Sequence, residues 1–463
     1  MKKVFLAVCL SLTALGVSAR PTALDPDGLL RLDGKRVFIL GLYENAKDGA
    51  FAQEAAEAGF NLIRVNPNQE DLDRAAAHGL QAWIPLGGLP VTSGAQKESL
   101  RELVEKFKDH PALAVWEAPD EALWNVWWTR LNQDQVRRRA VEAAIQKFVG
   151  TPEQKQKLEI LTASWRRYHG SGRYALAEAV ENDIRALVGM APLTERLSDW
   201  REHLEPLYQQ LAAGCDTVRS VDARHVIWFN HAPRNSLSDL ARFGELADIV
   251  GCDIYPVPFG PFVGHSDLPE RNLPSVGRYT QRMIQSAPGK PAWMVLQGFG
   301  WDDINESPAG GEPKNRRPTK HETRFMAYDA IVNGARGLLY WGTFAVEKPS
   351  AFWSELKSVI SELHRLQPFL SAPDATGQVT LTVEPSSGSG ENSVRLMAKE
   401  HEGRWAFFIV NEAPEALAFS IRVPAFLDGK IVSVLDEPET LTVAGGQIHY
   451  GLPGLGVSVL MTE

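Results

Sequence analysis

The sequence has little of what metal centres and redox sites require. Only three of its 463 residues are cysteine, and it contains neither a CxxC pair nor an HExxH motif. We therefore predict no metal ion and no cofactor. Cys9 lies in the apolar start of the chain, whereas Cys215 and Cys252 lie in later apolar stretches. The sequence leaves open whether these two form a disulfide or remain buried thiols.

The chain also lacks an excess of positive charge. Its net charge is −9, with 48 lysine and arginine residues against 57 acidic ones. We therefore expect no nucleic-acid partner, because binding to phosphate would require a basic face. The GxGxxG turn of dinucleotide-binding folds is absent. After the first residues no apolar run is long enough to span a bilayer, and nothing in the sequence indicates an oligomeric state.

Residues 1–19 have the features of an export signal. Lys2 and Lys3 precede an apolar run over 4–15, and a small-residue cleavage site ends at Ala19. We predict that 1–19 is a cleavable signal peptide and that the protein is secreted or periplasmic.

Tryptophan is unusually frequent, with 13 residues. Its large flat ring with one polar group suits stacking on a sugar. Packing in the core is the other use of such rings, and we expect both.

Short apolar runs alternate with amphipathic helical stretches over 20–372, which is the pattern of βα units. Eight such units predict a closed (β/α)8 TIM barrel. The charged, helical segment at about 124–198 is too long for a βα loop and predicts a helical insertion after the fourth strand. Over 373–463 only strand patterns remain, which predicts a C-terminal β-sandwich. The predicted barrel strands are 37–42, 61–65, 81–86, 112–117, 225–230, 249–254, 292–297 and 337–341.

Polar and aromatic side chains follow the ends of these strands. The carboxyl ends of barrel strands meet around one opening, so we expect these side chains to converge there. Carboxylates, an arginine, amides and aromatic rings around one opening are typical of a carbohydrate site. The candidates are Glu44, Arg64, Trp116, Glu117, Asp120, Glu121, Asp253, Tyr255, Gln297, Trp301 and Trp341.

Several of these stretches resemble the large clan of (β/α)8 glycoside hydrolases that carry an acid/base carboxylate on strand 4 and a nucleophile on strand 7. Asp120-Glu121 follows Trp116 at the spacing of the clan's strand-4 motif, and Asp253 with Tyr255 is similar to its strand 6. The resemblance implies a glycosidase, with Glu121 as general acid/base. We predict Asp120 and Asp253 as further catalytic residues. The other candidates are predicted to bind a poly- or oligosaccharide substrate.

The chain departs from the clan at the strand-7 nucleophile, where it has Gln297. An amide cannot form a glycosyl ester, so three interpretations stay open. The enzyme could invert, could use a nucleophile on another strand, or could be a barrel that only binds sugar. An inverting enzyme would need another carboxylate to activate water, and the candidates are Asp253, Asp302, Asp303 and Glu44.

Other roles also stay open for two groups of residues. Asp120 could cap a helix, and Glu121 could then be a helix N-terminal acid. Trp124, Trp127 and Trp128 could pin the insertion to the barrel or form an aromatic wall beside the substrate. For the C-terminal domain, packing on the barrel is favoured over sugar binding.

Overall fold

The computed structural model describes residues 22–258, 266–304, 315–384 and 393–463. The predicted signal peptide lies outside these residues. The strands are β1 (Thr22–Leu24), β2 (Leu30–Leu32), β3 (Lys35–Val37), β4 (Ile39–Leu42), β5 (Leu62–Arg64), β6 (Gln81–Pro85), β7 (Leu113–Glu117), β8 (Val226–His231), β9 (Ile249–Ile254), β10 (Ala292–Gln297), β11 (Gly337–Trp341), β12 (Thr380–Val383), β13 (Val394–His401), β14 (Arg404–Asn411), β15 (Leu417–Arg422), β16 (Ile431–Val434), β17 (Thr440–Thr442), β18 (Gln447–Leu452) and β19 (Val457–Thr462).

Strands β4 to β11 form a closed parallel barrel, in which β11 pairs with β4. The predicted (β/α)8 barrel is therefore confirmed. The helices are α1 (Gly49–Ala58), α2 (Gln69–Ala77), α3 (Gly94–Phe107), α4 (Ala122–Lys147), α5 (Pro152–Gly170), α6 (Tyr174–Val188), α7 (Leu204–Val221), α8 (Leu237–Gly244), α9 (Ser275–Ser286), α10 (Trp301–Ile304), α11 (Lys320–Val332), α12 (Ala351–Arg365) and α13 (Gln367–Leu370).

Polar caps explain where many of these helices begin. The side chains of Asp48, Asn68 and Ser93 each accept a hydrogen bond from a backbone N–H in the first turn of α1, α2 and α3. Such a cap satisfies a donor that the helix itself leaves unpaired. At α11 a full capping box joins Thr319 and Glu322.

Strands β1 to β3 form a small antiparallel sheet that closes one end of the barrel. Leu30 and Leu32 belong to the same buried cluster as the inward-facing side chains of the barrel strands. Thr22 pairs with the backbone of Arg224, which lies just before β8. This sheet therefore covers the end at which the strands begin and leaves the opposite end as the site of the opening.

The segment after β7 is helical, as predicted, and consists of α4, α5 and α6. These helices have a core of their own, which includes Val141, Leu158 and Trp165. The buried carboxylate of Asp134 accepts hydrogen bonds from two arginines and contacts His169 at 2.8 Å. A separate core and a paired buried charge make the insertion a compact unit.

The C-terminal residues form two antiparallel sheets, β12-β15-β18 and β13-β14-β19-β16-β17. This confirms the predicted β-sandwich. The five-stranded sheet packs on α11, and Phe408 and Val459 belong to the same hydrophobic core as the barrel helices. The shortest strand of this sheet, β17, has three residues.

Two smaller findings complete the fold. Cys215 and Cys252 are buried free thiols, so the disulfide alternative is wrong. Among the described residues, no helix combines the length and the apolar character needed to cross a membrane.

Candidate functional site

Strand alternation determines which side chains enter the barrel opening. On β9, Ile249 faces the barrel interior while Val250 and Cys252 pack against the helices. Because side chains alternate along a strand, Asp253 and, just beyond the strand, Tyr255 face inward. The same rule on β7 turns Val115 and Glu117 inward and Trp116 outward.

Three tryptophans form the floor of the opening. Trp83, Trp228 and Trp293 are fully buried inside the barrel, and their ring centroids lie 5.7–5.9 Å apart in successive pairs. Gly251 makes room for this arrangement, since a Cβ there would lie 2.6 Å from Trp228 Nε1. Asp253 is the next inward-facing residue of β9 after Gly251.

Glu121 does not act as an ordinary helix-capping acid. Glu121 itself occupies the N-cap position of α4, so the alternative in which Asp120 caps this helix is wrong, and the Glu121 side chain makes no capping hydrogen bond. Its backbone is left-handed, with φ 50° and ψ 29°. Such a conformation is costly for a residue with a side chain and is common where function fixes a side chain's direction. Here the Glu121 carboxyl forms a hydrogen bond with Asp253.

This pair of carboxyl groups retains a proton at neutral pH. Burial, and then the charge of Asp120, raise the pKa of Glu121 to about 7. Burial, and then the charges of Glu121 and Asp120, raise the pKa of Asp253 well above its usual range. Two neighbouring buried carboxyl groups cannot both be ionised cheaply. Asp253 is therefore the hydrogen-bond donor and Glu121 the group that exchanges its proton near neutrality.

Asp120 lies beside this pair and lines the cavity. Asn230 Nδ2 donates to Asp120 Oδ1 at 2.9 Å. The surrounding protein raises the pKa of Asp120, while Arg64 and the hydrogen bond from Asn230 oppose that shift. The side chain nevertheless has substantial solvent-exposed surface, so we regard it as a carboxylate in contact with water.

Glu117 is buried beneath Asp120. The hydroxyl group of Tyr43 donates to Glu117 Oε1, and Trp83 Nε1 donates to Oε2 at 3.0 Å. Burial, with the charge of Asp120, raises the pKa of Glu117 to about 8. Glu117 is therefore protonated at neutral pH and serves to hold Tyr43 in place.

Aromatic rings line the side of the opening where the barrel closes. Tyr255 and Trp341 are stacked, with ring centroids 5.5 Å apart and an interplanar angle of 14°. Trp301 lies edge-on to Tyr255 at 6.1 Å, and Phe344, at the rim beside Trp341, is 48% exposed. Such flat faces beside carboxyl groups suit a pyranose ring.

Two adjoining cavities occupy the opening. One, of about 510 Å³, is lined by Arg64 and Glu117. The other, of about 200 Å³, is lined by Glu121 and Asp253. The residues that line both are Tyr43, Asp120 and Trp341. The opening is therefore one continuous site that could hold more than one sugar residue.

Two residues predicted to bind the substrate, Trp116 and Gln297, line neither cavity of the opening. Trp116 is fully buried on the helix side of β7 and donates to Asp222 at 2.9 Å, so it does not reach the opening. Glu44 lines the larger cavity, but its carboxylate binds Lys348 at 2.9 Å and Thr343 at 2.9 Å.

Gln297 is buried and is hydrogen-bonded to the backbone alone. Its Oε1 accepts from Val257 N–H at 2.9 Å, and its Nε2 donates to the carbonyl oxygens of Val257 at 2.6 Å and Phe299 at 3.1 Å. It ties together the chain that follows β9 and the chain that follows β10, and it lines neither cavity.

Sequence reasoning did not select Tyr43, Asn230 or Phe344. Tyr43 and Asn230 lie at strand ends and could have been chosen by the same rule as Glu121. Phe344 lies in a short 3₁₀ helix beyond β11, and no sequence pattern pointed to it.

No family model matches this chain, and no curated protein matches it. Solved structures do match. One described as a glycoside hydrolase is 14% identical, with a TM-score of 0.52 and 96% of each chain covered. A glycoside hydrolase family 5 structure from Bacteroides vulgatus is 13% identical, with a TM-score of 0.53, covering 96% of this chain and 93% of that one.

A third similar structure is Gan42B, a GH42 β-galactosidase from G. stearothermophilus. It is 10% identical, with a TM-score of 0.55, covering 96% of this chain and 99% of that one. Identities this low bear on the fold alone. The chain shares the (β/α)8 fold of these solved structures.

Proposed function

We propose that this protein hydrolyses O-glycosidic bonds of a poly- or oligosaccharide by inversion, with Glu121 as the proton donor. The observation that carries the proposal is the hydrogen-bonded pair of Glu121 and Asp253 in a cavity walled by Tyr255 and Trp341. A raised pKa keeps a carboxylic acid protonated near neutrality, which is what a general acid requires.

Each carboxyl group has a distinct role in this proposal. Glu121 gives its proton to the leaving glycosidic oxygen as the C–O bond breaks, and its new carboxylate keeps the hydrogen bond from Asp253. Asp120 takes a proton from the water that attacks the anomeric carbon, and the positive charge of Arg64 favours its ionised form. The products are two sugars with free ends, and one water is consumed.

Inversion fits this site better than retention. A retaining enzyme needs a carboxylate nucleophile about 5–5.5 Å from the acid. The corresponding side chain on β10 is the amide of Gln297, which is committed to the backbone. Asp253 touches Glu121 directly, so it is too close to attack from the opposite face of the sugar.

The test is a hydrolysis screen over plant, algal and bacterial polysaccharides with the wild type beside Glu121→Gln. We expect the wild type to release sugar and the variant to lose at least a hundredfold in rate. NMR of the reaction shows which anomer forms first, and its anomeric configuration should be inverted relative to the substrate. Equal rates for both proteins would contradict the role of Glu121, and retained configuration would contradict inversion.

A carbohydrate-binding barrel without catalysis is the second candidate. It is favoured by the amide at position 297, because Gln297 is bound to the backbone and supplies no carboxylate nucleophile. Sugar binding measured by calorimetry, with no hydrolysis by either the wild type or Glu121→Gln, would support this candidate.

We further propose that the protein is exported, on the strength of the basic and apolar start of the sequence. Expression of the full chain with N-terminal sequencing of the released product tests this. We expect cleavage after Ala19, and a product that stays in the cytosol with Met1 intact would contradict it.

A further inference from the structure

A second cleft opens beside the site, between the start of the insertion and the loop after β8. It has a volume of about 290 Å³. Its aromatic lining is Trp124, Trp127 and Trp200. Its polar lining is Arg201, Arg234, Asn235, Ser236 and Asp239.

The tryptophans of this cleft are not used as core residues. Trp124 and Trp127 lie one turn apart on α4, with ring centroids 4.7 Å apart, and both are partly exposed. Neither belongs to a hydrophobic cluster of the described residues, whereas Leu123 beside them is buried in the barrel core. Leu123 therefore anchors the start of α4, and the rings are left facing water. Exposed aromatic patches of this kind mark binding surfaces.

The polar wall of the cleft is held in a fixed arrangement. Arg201 Nη2 donates to both carboxylate oxygens of Asp239 at 3.0 Å, and the Ser236 hydroxyl donates to Asp239 Oδ2 at 2.6 Å. The Arg201 guanidinium also lies 4.8 Å from the ring centroid of Trp200. Planar polar groups fixed beside aromatic faces provide the hydrogen bonds and the stacking that a sugar ring requires.

The cleft continues the site because the same two chain segments line both. Asp120 and Glu121 line the opening, and α4 then carries Trp124 and Trp127 into the cleft. From Glu121 to Trp127 is about 9 Å along a helix axis. On the facing side, Asn230 lines the opening and the loop that follows β8 lines the cleft.

We propose that this cleft binds further sugar residues of the glycan whose target bond lies beside Glu121. The ligand is then a linear polysaccharide, not a mono- or disaccharide, and the helical insertion is a distal binding subsite. This inference rests on the proposed carbohydrate function of the opening. Its test below separates the two because binding is measured apart from hydrolysis.

The experiment compares Trp124→Ala and Trp127→Ala with Trp128→Ala as the matched control. Trp128 stacks on Trp124 from outside, is 44% exposed and does not line the cleft. Binding is measured by affinity electrophoresis in gels containing xylan, galactan, galactomannan or carboxymethyl-cellulose, on the Glu121→Gln background so that the polymer stays intact. Thermal unfolding of each variant checks that the fold is unchanged, and Trp127→Phe tests rescue by another aromatic ring.

We expect at least one polymer to retard the parent, and the two cleft variants to bind it about tenfold more weakly. Trp128→Ala should bind as the parent does, and Trp127→Phe should recover part of the affinity. This result would support the subsite even if the wild type hydrolysed nothing. Unchanged binding by both cleft variants, equal loss in Trp128→Ala, or no retardation of the parent by any polymer would overturn the proposal. If the wild type hydrolyses a polysaccharide but the cleft variants bind it unchanged, the cleft proposal fails and the proposed hydrolysis stands.

Discussion

The behaviour of each carboxyl group in the opening follows from its immediate neighbours. Glu121 has Asp253 as hydrogen-bonding partner, Glu117 has Tyr43 and Trp83, and the solvent-exposed Asp120 has Asn230. Burial raises the pKa of each of these carboxyl groups, but solvent reaches Asp120 and not Glu117. One cluster therefore contains both protonated acids and a carboxylate that can act as a base.

Glu117→Gln should change how stability depends on pH. The pKa of about 8 in the folded chain lies above the ordinary glutamate pKa of 4.5, so the folded chain holds a proton that the unfolded chain releases. Between these values the wild type loses stability as pH rises, by at most about 1.4 kcal/mol per pH unit from this group. The variant lacks this loss. Denaturant unfolding at pH 5 and pH 8 gives the free energy of unfolding of both proteins. The stability of the variant relative to the wild type should be higher at pH 8 than at pH 5, and the same difference at both pH values would contradict the assignment.

Gln297→Glu should destabilise the fold and should not create a retaining enzyme. A carboxylate cannot donate to the carbonyl oxygens of Val257 and Phe299, and it would be buried against them. We expect a loss of about 3 kcal/mol in the free energy of unfolding. The control is Gln96→Glu, because Gln96 Oε1 only accepts hydrogen bonds from Thr92. Equal stability of the two variants would refute this account of Gln297.

At the scale of the elements, the order of the barrel strands places the site. Long apolar runs predicted β9, β10 and β11 to the residue, because a strand buried on both faces needs no polar interruption. These apolar runs do not show which side chains face the barrel interior and which face the helices. Trp116 follows the apolar part of β7 as Glu117 does, yet strand alternation turns it towards the helices, and Asp222 then satisfies its indole.

Contacts that join distant parts of the chain escaped prediction for a similar reason. The pairing of Glu121 with Asp253, and of Gln297 with Val257, depends on how separate loops meet. The local periodicity of the sequence does not predict contacts between separate loops. The strand-end rule found the acids, since it needs only the register of single strands.

Gly251→Ala tests the floor of the site as an element. The added methyl group would lie 2.6 Å from both Trp228 Nε1 and the carbonyl oxygen of Trp293. Because neither the buried ring nor the strand can easily move, we expect a loss of about 1–3 kcal/mol in stability. Gly377→Ala, where a Cβ meets nothing within 4 Å, is the control. Thermal unfolding checks the pair, and equal melting temperatures would show that the floor adapts.

At the scale of the whole molecule, the β-sandwich completes the barrel's outer layer. Arg324 on α11 donates to the carbonyl oxygen of Val457 at 2.9 Å, and Tyr328 packs near Phe408. These contacts continue the core of the barrel into the sandwich. We therefore expect the described chain to unfold in one cooperative step rather than as two modules.

Phe408→Ala should destabilise barrel and sandwich together. Removing a fully buried ring costs about 3–5 kcal/mol, and here the ring belongs to the shared core. Calorimetry should show one transition moved to lower temperature. Phe426→Ala, at a side chain that is 66% exposed, should leave it unmoved. Two separate transitions, with only one displaced, would contradict a shared core.

The central claim is that Glu121 gives a proton to the leaving group. The most direct test uses two aryl glycosides of the sugar that the screen identifies. One has a good leaving group and the other has a poor one. A good leaving group needs no proton, so Glu121→Gln should hydrolyse it at a rate near that of the wild type. The same variant should be at least a hundredfold slower on the poor one. Equal losses on both substrates, or no loss on either, would contradict the role of Glu121 as the acid.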